Sequence, residues 1–294
     1  MGVARGGASA VARLRPGAAS LPPAGRSVLD DIAMRRPWNL VVKTARLRAS
    51  IRLRTRGLDD GVTVVLVSWN TRQVTADVLT AVQALSPADT RILVVDNASG
   101  DGSREMLATW PGIRTMLVRS NAGHGVALDL AVCATKTRIA VTLDSDAVPL
   151  RAGWLEPAVA PVRSGAAVLA GSRSSRGFVH PMYLAVDTAT FVQRGLSFQV
   201  HREPGLAPED VSWGVNAWDT GELITPRLNP AEVAFVDRTP NPVDDLPGMI
   251  AGGVVYHHGG VSRGTDGAVS PEALEGWRRA CRALGLGEVI GVGA

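Results

Sequence analysis

The chain has 294 residues, of which 46% are hydrophobic and only 4% aromatic, so one large domain has enough Val, Leu, Ala and Ile for a buried core. The formal net charge of +4 is uneven: residues 1–57 hold 12 Lys+Arg against 2 Asp+Glu, and the remainder holds 19 against 25. A basic arm therefore precedes a mildly acidic globular part, and that excludes nucleic-acid binding as the role of the main domain.

Cys133 and Cys281 stand far apart, with no second Cys near either. This excludes a disulfide framework or a cysteine zinc site and fits a reducing compartment. No apolar run approaches the ~20 residues needed to span a bilayer. No continuous apolar stretch follows Arg5, Arg13 and Arg15, so a secretory signal is not expected and the location reads as cytoplasmic.

In chain order, residues 1–27 are rich in Gly, Ala, Pro and Arg and read as a disordered arm. From Val28 to Arg56 apolar positions recur at near-helical spacing, interrupted by Pro37. Leu40, Leu47 and Ile51 share a face there, with Arg46, Arg48, Arg52 and Arg54 around them. Two readings stand: a basic linker or helix packed on the main domain, or an interfacial helix giving peripheral contact with anionic lipid at the inner face of the membrane. Gly57 to Gly61 reads as a hinge, separating an arm of residues 1–57 from a domain of residues 58–294.

Val62–Val67 is a continuous apolar run, as for a strand buried on both faces. Thr71–Leu85 reads as a helix, with Val74, Val78, Val82 and Leu85 at helical spacing. Ile92–Val95 is a second strand, Ser103–Thr109 a short helix and Ile113–Val118 a third strand. Gly125–Thr135 reads as helix and Ile139–Leu143 as a fourth strand. Trp154–Val162 and Ala167–Ala170 continue the alternation, residues 172–215 look irregular, and Pro271–Leu284 reads as a closing helix. This alternation predicts an α/β/α sandwich on a mostly parallel sheet, with ligands outside the carboxyl ends of the strands.

The polar residues at those ends carry the chemistry. Ser68-Trp69-Asn70 ends the first strand. Asp96-Asn97-Ala98-Ser99-Gly100-Asp101-Gly102-Ser103 follows the second. A carboxylate there can accept hydrogen bonds from a ribose or a base edge, and the glycines permit close backbone approach. Equally, Asp96 and Ser99 can simply shape a turn while Asp101 caps the next helix.

Asp144-Ser145-Asp146 follows the fourth strand. Two carboxylates at the mouth of a sheet repel unless a cation lies between them, and hard oxygen ligands suit Mg²⁺ or Mn²⁺. Asp219, in Trp218-Asp219-Thr220-Gly221-Glu222, is a candidate general base, although Asp-Thr-Gly is also ordinary turn chemistry. The pair His257-His258, after Val254-Val255-Tyr256, offers an imidazole to complete a metal shell.

Taken in order, Val-Ser-Trp-Asn, Val-Val-Asp-Asn-Ala-Ser-Gly-Asp-Gly-Ser, Asn-Ala-Gly-His-Gly (residues 121–125), Leu-Asp-Ser-Asp, Trp-Asp-Thr-Gly and His-His-Gly-Gly-Val-Ser resemble family 2 glycosyltransferases of the GT-A fold. Within them the sequence looks most similar to bacterial rhamnosyltransferase-type members, over residues 62–263. The resemblance implies inverting transfer of a sugar, with a deoxyhexose such as rhamnose the first expectation. The sugar would pass from a nucleoside-diphosphate sugar to the hydroxyl of a glycan, lipid-linked or small-molecule acceptor, assisted by a divalent cation.

By position, the resemblance puts Asp96 on the nucleoside and lines the same pocket with Ser68, Asn70, Asn97, Asn121 and Ser145. It gives Asp144 to ribose or metal, Asp146 to metal, and His257 to metal with His258 as second choice. Asp219 falls where the family's base lies. The expected donor half is residues 58–147 and the acceptor half 148–294, with Arg173, Arg176, His180 and Asp187 on the acceptor side.

The sequence departs from the family pattern at Trp218, where a Glu is usual, and at Asp129, where many relatives carry Asn. A rival from another class is a non-catalytic nucleotide-sugar or carbohydrate-binding protein on the same fold. Against a nucleotidyltransferase, Ser68–Thr71 is not the Gly-rich basic loop that chemistry uses, and against a dinucleotide oxidoreductase, no GxGxxG follows the first strand.

Overall fold

The computed structural model describes residues 28–199, 219–243, 246–260 and 268–292. The arm 1–27, Trp218 and the Val261-Ser262 end of the histidine motif lie outside the described residues. The order is α1 (Val28–Thr55), β1 (Asp59–Ser68), α2 (Arg72–Leu85), β2 (Arg91–Asp96), α3 (Ser103–Thr109), β3 (Arg114–Leu117), α4 (His124–Ala134), β4 (Thr137–Asp144) and β5 (Ala147–Pro149). There follow α5 (Glu156–Arg163), β6 (Leu169–Arg173), β7 (Val179–Asp187), α6 (Thr188–Gln193), β8 (Val233–Val236), β9 (Arg238–Pro240), β10 (Met249–Ala251), β11 (Val255–His257) and α7 (Pro271–Ala283).

Seven strands form the central sheet in the order β3-β2-β1-β4-β7-β6-β8, and β5-β11-β10-β9 form a second, antiparallel sheet. In the central sheet only the β4–β7 and β6–β7 pairings are antiparallel. The period-2 alternation of side chains splits β1 between two cores. Val62, Val64 and Leu66 pack with α2, α5 and α7, whereas Val65 and Val67 pack with α1, α4 and α6. The α/β/α sandwich expected from the sequence is therefore present.

Three departures have local causes. The first helix runs unbroken across Pro37 and stops at Gly57, whose φ of 72° and N–H bond to the Arg52 carbonyl close it, so β1 starts at Asp59 inside the expected hinge. The third strand is shorter than its apolar run and only partly buried, because it forms the sheet edge. The stretch expected to be irregular contains β7, a central strand buried along nearly its whole length despite Pro181.

Register aligns the chemistry. Ser68 pairs with Asp96, and Val67 pairs with Asp144, so the ends of β1, β2 and β4 lie side by side at one edge of the sheet.

Candidate active site

The acidic centre is assembled by strand pairing. Antiparallel pairing of β5 with β11 sets His257 opposite Ala147, the residue after Asp146. The His257 Nε2 lies 3.2 Å from Asp146 Oδ1 and 3.5 Å from Asp144 Oδ2. Side-chain alternation sends the two histidines apart. His257 meets the carboxylates, while His258 turns to Tyr256 and Trp277, with ring centroids 6.4 and 6.3 Å away. The backbone N–H of His258 donates to the Asp146 carbonyl, and that of Gly260 donates to Asp146 Oδ2 at 3.1 Å.

Burial opposes the charged forms of Asp144 and Asp146. The imidazole of His257 outweighs it, with His124 adding at Asp144 and the Gly260 N–H at Asp146, so both carboxyls sit below the usual range. Burial alone would lower His257; the two carboxylates reverse this and push it up to about 10. An imidazolium thus supplies the positive charge that two close carboxylates need.

Ligand atoms of Asp144, Asp146 and His257 lie within 4.8 Å of one another, and no second grouping of this kind occurs among the described residues. Asp144 Oδ1 is buried without a hydrogen-bond partner. Two hard oxygens and a nitrogen fit Mg²⁺ or Mn²⁺.

Asp219 stands beside this centre through His180. The β4–β7 register pairs Leu143 with Tyr183, and continuing it carries His180, near the start of β7, along the Asp144–Asp146 turn. His180 Nδ1 accepts the Met182 N–H at 3.0 Å, which leaves Nε2 as the protonated nitrogen. That nitrogen lies 3.3 Å from Asp219 Oδ2, and the His180 and His257 ring centroids are 6.2 Å apart. The bond from His180 lowers the Asp219 pKa against partial burial, so the carboxylate is ionised near neutrality.

Glu222, held by Arg176 at 2.8 Å, accepts the Asp219 N–H at 2.8 Å and fixes the turn. Arg238 donates from Nε to Ser172 Oγ at 2.5 Å; burial lowers its pKa, and the charges of Asp144 and Asp219 oppose that shift.

The expected nucleoside residues divide by exposure. Asp96 is fully buried at the end of β2, with Oδ2 accepting from Ser99 N and lying 3.6 Å from Arg104 Nε, while Oδ1 is buried without a partner. The Ser68 hydroxyl is buried against Thr71 and Thr75, at 3.2 and 3.0 Å. Asn97 donates to Asn121 Oδ1 at 3.0 Å and accepts from Ala122 N, joining two loops.

Asn70, with φ of 54°, accepts from Gly100 N at 2.8 Å and lines a cleft of about 540 Å³ with Arg72, Asp101 and Val269. Asp101 accepts from both Ser103 N and Arg72 N, tying α3 to α2. Ser145 is half-buried in the turn between the two aspartates.

Sequence reasoning placed His180 only loosely on the acceptor side and missed His124, Glu222 and Arg238 as site residues. His124 Nε2 lies 3.5 Å from Asp144 Oδ1. The available signal for His124 was its place in the Asn-Ala-Gly-His-Gly segment; Arg238 had none.

Residues 63–192, the segment that holds β2 to β4 and the Asp144–Asp146 turn, match the model of glycosyl transferase family 2. The match covers somewhat less than half of the chain. An uncharacterized glycosyltransferase of Mycobacterium tuberculosis is 34% identical over 126 residues, covering 43% of this chain and 55% of the relative. A counterpart in Mycobacterium bovis matches equally. The chain thus spans about half the length of these curated relatives.

Among solved structures, a Pyrobaculum calidifontis mannosyltransferase in complex with GDP-Man and Mn²⁺ is 20% identical, covering 57% of this chain and 59% of that one, with a TM-score of 0.40. Residues 1–349 of S. aureus TarS with UDP are 14% identical, covering 76% and 65%, with a TM-score of 0.45.

Proposed function

We propose that the protein is an inverting glycosyltransferase that moves a sugar from a nucleoside-diphosphate sugar to an acceptor hydroxyl with the help of a divalent cation. The observation that carries this reading is the convergence of Asp144, Asp146 and His257 at the strand ends, with Asp219 one imidazole away. Asp144, Asp146 and His257 hold the Mg²⁺ or Mn²⁺, which when bound supplies Lewis-acid stabilisation to the leaving diphosphate.

Asp219 accepts the proton of the acceptor hydroxyl as its oxygen attacks the anomeric carbon from the face opposite the diphosphate, so configuration inverts. The His180 Nε2–H orients that carboxylate and keeps it ionised, and Glu222 holds its backbone. The sequence resemblance assigns Asp96 to the nucleoside, and its Oδ1 is a buried oxygen without a hydrogen-bond partner. The resemblance also assigns Asn70 and Ser145 to the donor, Asn70 from the cleft it lines with Arg72 and Asp101, while Ser68, Asn97 and Asn121 brace the adjoining loops. Rhamnose, or another deoxyhexose, is the sugar carried over from the sequence resemblance, and a glycan, lipid-linked molecule or small molecule is the acceptor.

A thermal-shift panel of nucleoside diphosphates and nucleotide sugars, with and without Mn²⁺, tests the reading. Cation-dependent stabilisation by one nucleobase type is expected by mass action, together with slow release of sugar from the matching donor. Uniform indifference to every nucleotide, with and without cation, contradicts it.

A further inference from the structure

From Trp38 onward the packed and outward faces of α1 are both apolar, and among the described residues only the first has a partner in the fold. Val42 and Ala49 are buried, and Trp38, Ala45 and Leu53 pack with them against the core beneath α4 and α6. Two arginines fasten this face. Arg46 donates to the carbonyls of Phe191 and Leu196 at 3.0 and 2.6 Å, and Arg52 donates to those of Cys133 and Thr135 at 2.9 and 2.7 Å. The helix is therefore fixed in orientation.

Opposite lie Leu40, Leu47 and Ile51, which are 68, 62 and 53% exposed. At 3.6 residues per turn they fall within about 40° of one another, on the far side of the helix from Val42 and Ala49. With Val41 they make four of the five exposed large hydrophobics among the described residues, the fifth being Leu117. Lys43, Arg48 and Arg54 are exposed beside them, and no Asp or Glu occurs between Trp38 and Leu58.

We infer that this face of α1 docks on an anionic lipid surface, lying in the plane of the interface. Apolar side chains ringed by cations, with no acid among them, match acyl chains beneath negative headgroups. A second copy of the same face would set cation against cation. The arm 1–27 carries four arginines and no acidic residue, so it gives no charge complement either. No described helix is long and apolar enough to cross a membrane, so the contact is interfacial. The inference stands independently of the glycosyl-transfer reading.

The test is flotation of the full chain with vesicles of phosphatidylcholine alone, and of phosphatidylcholine mixed with phosphatidylglycerol. Binding is expected only to the anionic vesicles and should weaken with salt. Replacing Lys43, Arg48 and Arg54 together with Gln should cost about fivefold per cation, on the order of a hundredfold in all. The Leu47→Ser/Ile51→Ser variant should reduce binding at least about tenfold without lowering the melting temperature, since both side chains already face solvent. Absence of binding to anionic vesicles, or binding that these variants leave unchanged, overturns the inference. So does a self-associating protein that Leu47→Ser/Ile51→Ser makes monomeric while vesicles leave it unbound.

Discussion

The Nε2 of His180 lies 3.3 Å from the Oδ2 of Asp219, and the backbone N–H of Met182 fixes which of its nitrogens carries the proton. The imidazole therefore stands between the proposed base and the proposed metal-binding centre while lowering the base's pKa. Replacing His180 with Ala removes the partner that favours ionised Asp219. The acidic limb of the kcat/KM profile should then move to higher pH, and turnover should fall about 10–100-fold, as when a supporting residue is lost. Asp219→Asn should lower turnover by ~10²–10⁴ at every pH, with nucleotide affinity nearly unchanged. A His180→Ala profile that overlays the parent would remove His180 from the mechanism; unchanged turnover in Asp219→Asn would place the base elsewhere.

His257 gives a second pH prediction. With its pKa pushed up to about 10, it is protonated at neutral pH, whereas a metal ligand must be neutral. Cation binding should release close to one proton per site, read by calorimetry in buffers of differing ionisation enthalpy, and affinity should rise with pH until about 10. For the cation-free protein the sign runs the other way. A raised histidine pKa contributes stability fully below the unfolded value of about 6.5, and that contribution is lost as pH rises through about 10. His257→Ala should flatten this slope. Binding without proton release contradicts the assignment.

Asp129, one of the departures from the family pattern, is fully buried and accepts from Ser197 Oγ, Phe198 N and Gln199 Nε2 at 2.6, 2.8 and 2.8 Å. It thereby pins residues 197–199 over α4. Burial raises its pKa, so its stabilising effect is complete below the ordinary carboxylate range and declines as pH rises through the folded value. Asp129→Asn leaves a single oxygen to serve three donors. It should destabilise by about 1–3 kcal/mol, with a flatter dependence of melting temperature on pH. An unchanged melting curve would show that this segment is held by other contacts.

The strands ending in Ser68, Asp96 and Asp144 were legible because buried parallel strands read as unbroken apolar runs. Polar residues directly after such runs must lie at the sheet edge. Asp146 and His257 were legible as residue types, but their meeting depends on β5 pairing with β11, a contact between three-residue strands that no local pattern announces. The choice between His257 and His258 likewise needed the strand's facing. In β7, Pro181 disguised a central strand, and with it the position of His180. The breadth of α1's outward face was visible in the spacing of Leu40, Leu47 and Ile51, but only packing shows which face the domain covers.

The central claim is that Asp144, Asp146 and His257 hold one divalent cation that in turn engages a nucleoside diphosphate. Calorimetric titration of a nucleoside diphosphate into the protein and into Asp146→Ala, each with and without Mn²⁺, tests it most directly. The account predicts that Mn²⁺ tightens binding to the parent by about tenfold or more and has no effect on the variant. A Mn²⁺ enhancement that survives intact in Asp146→Ala would contradict it.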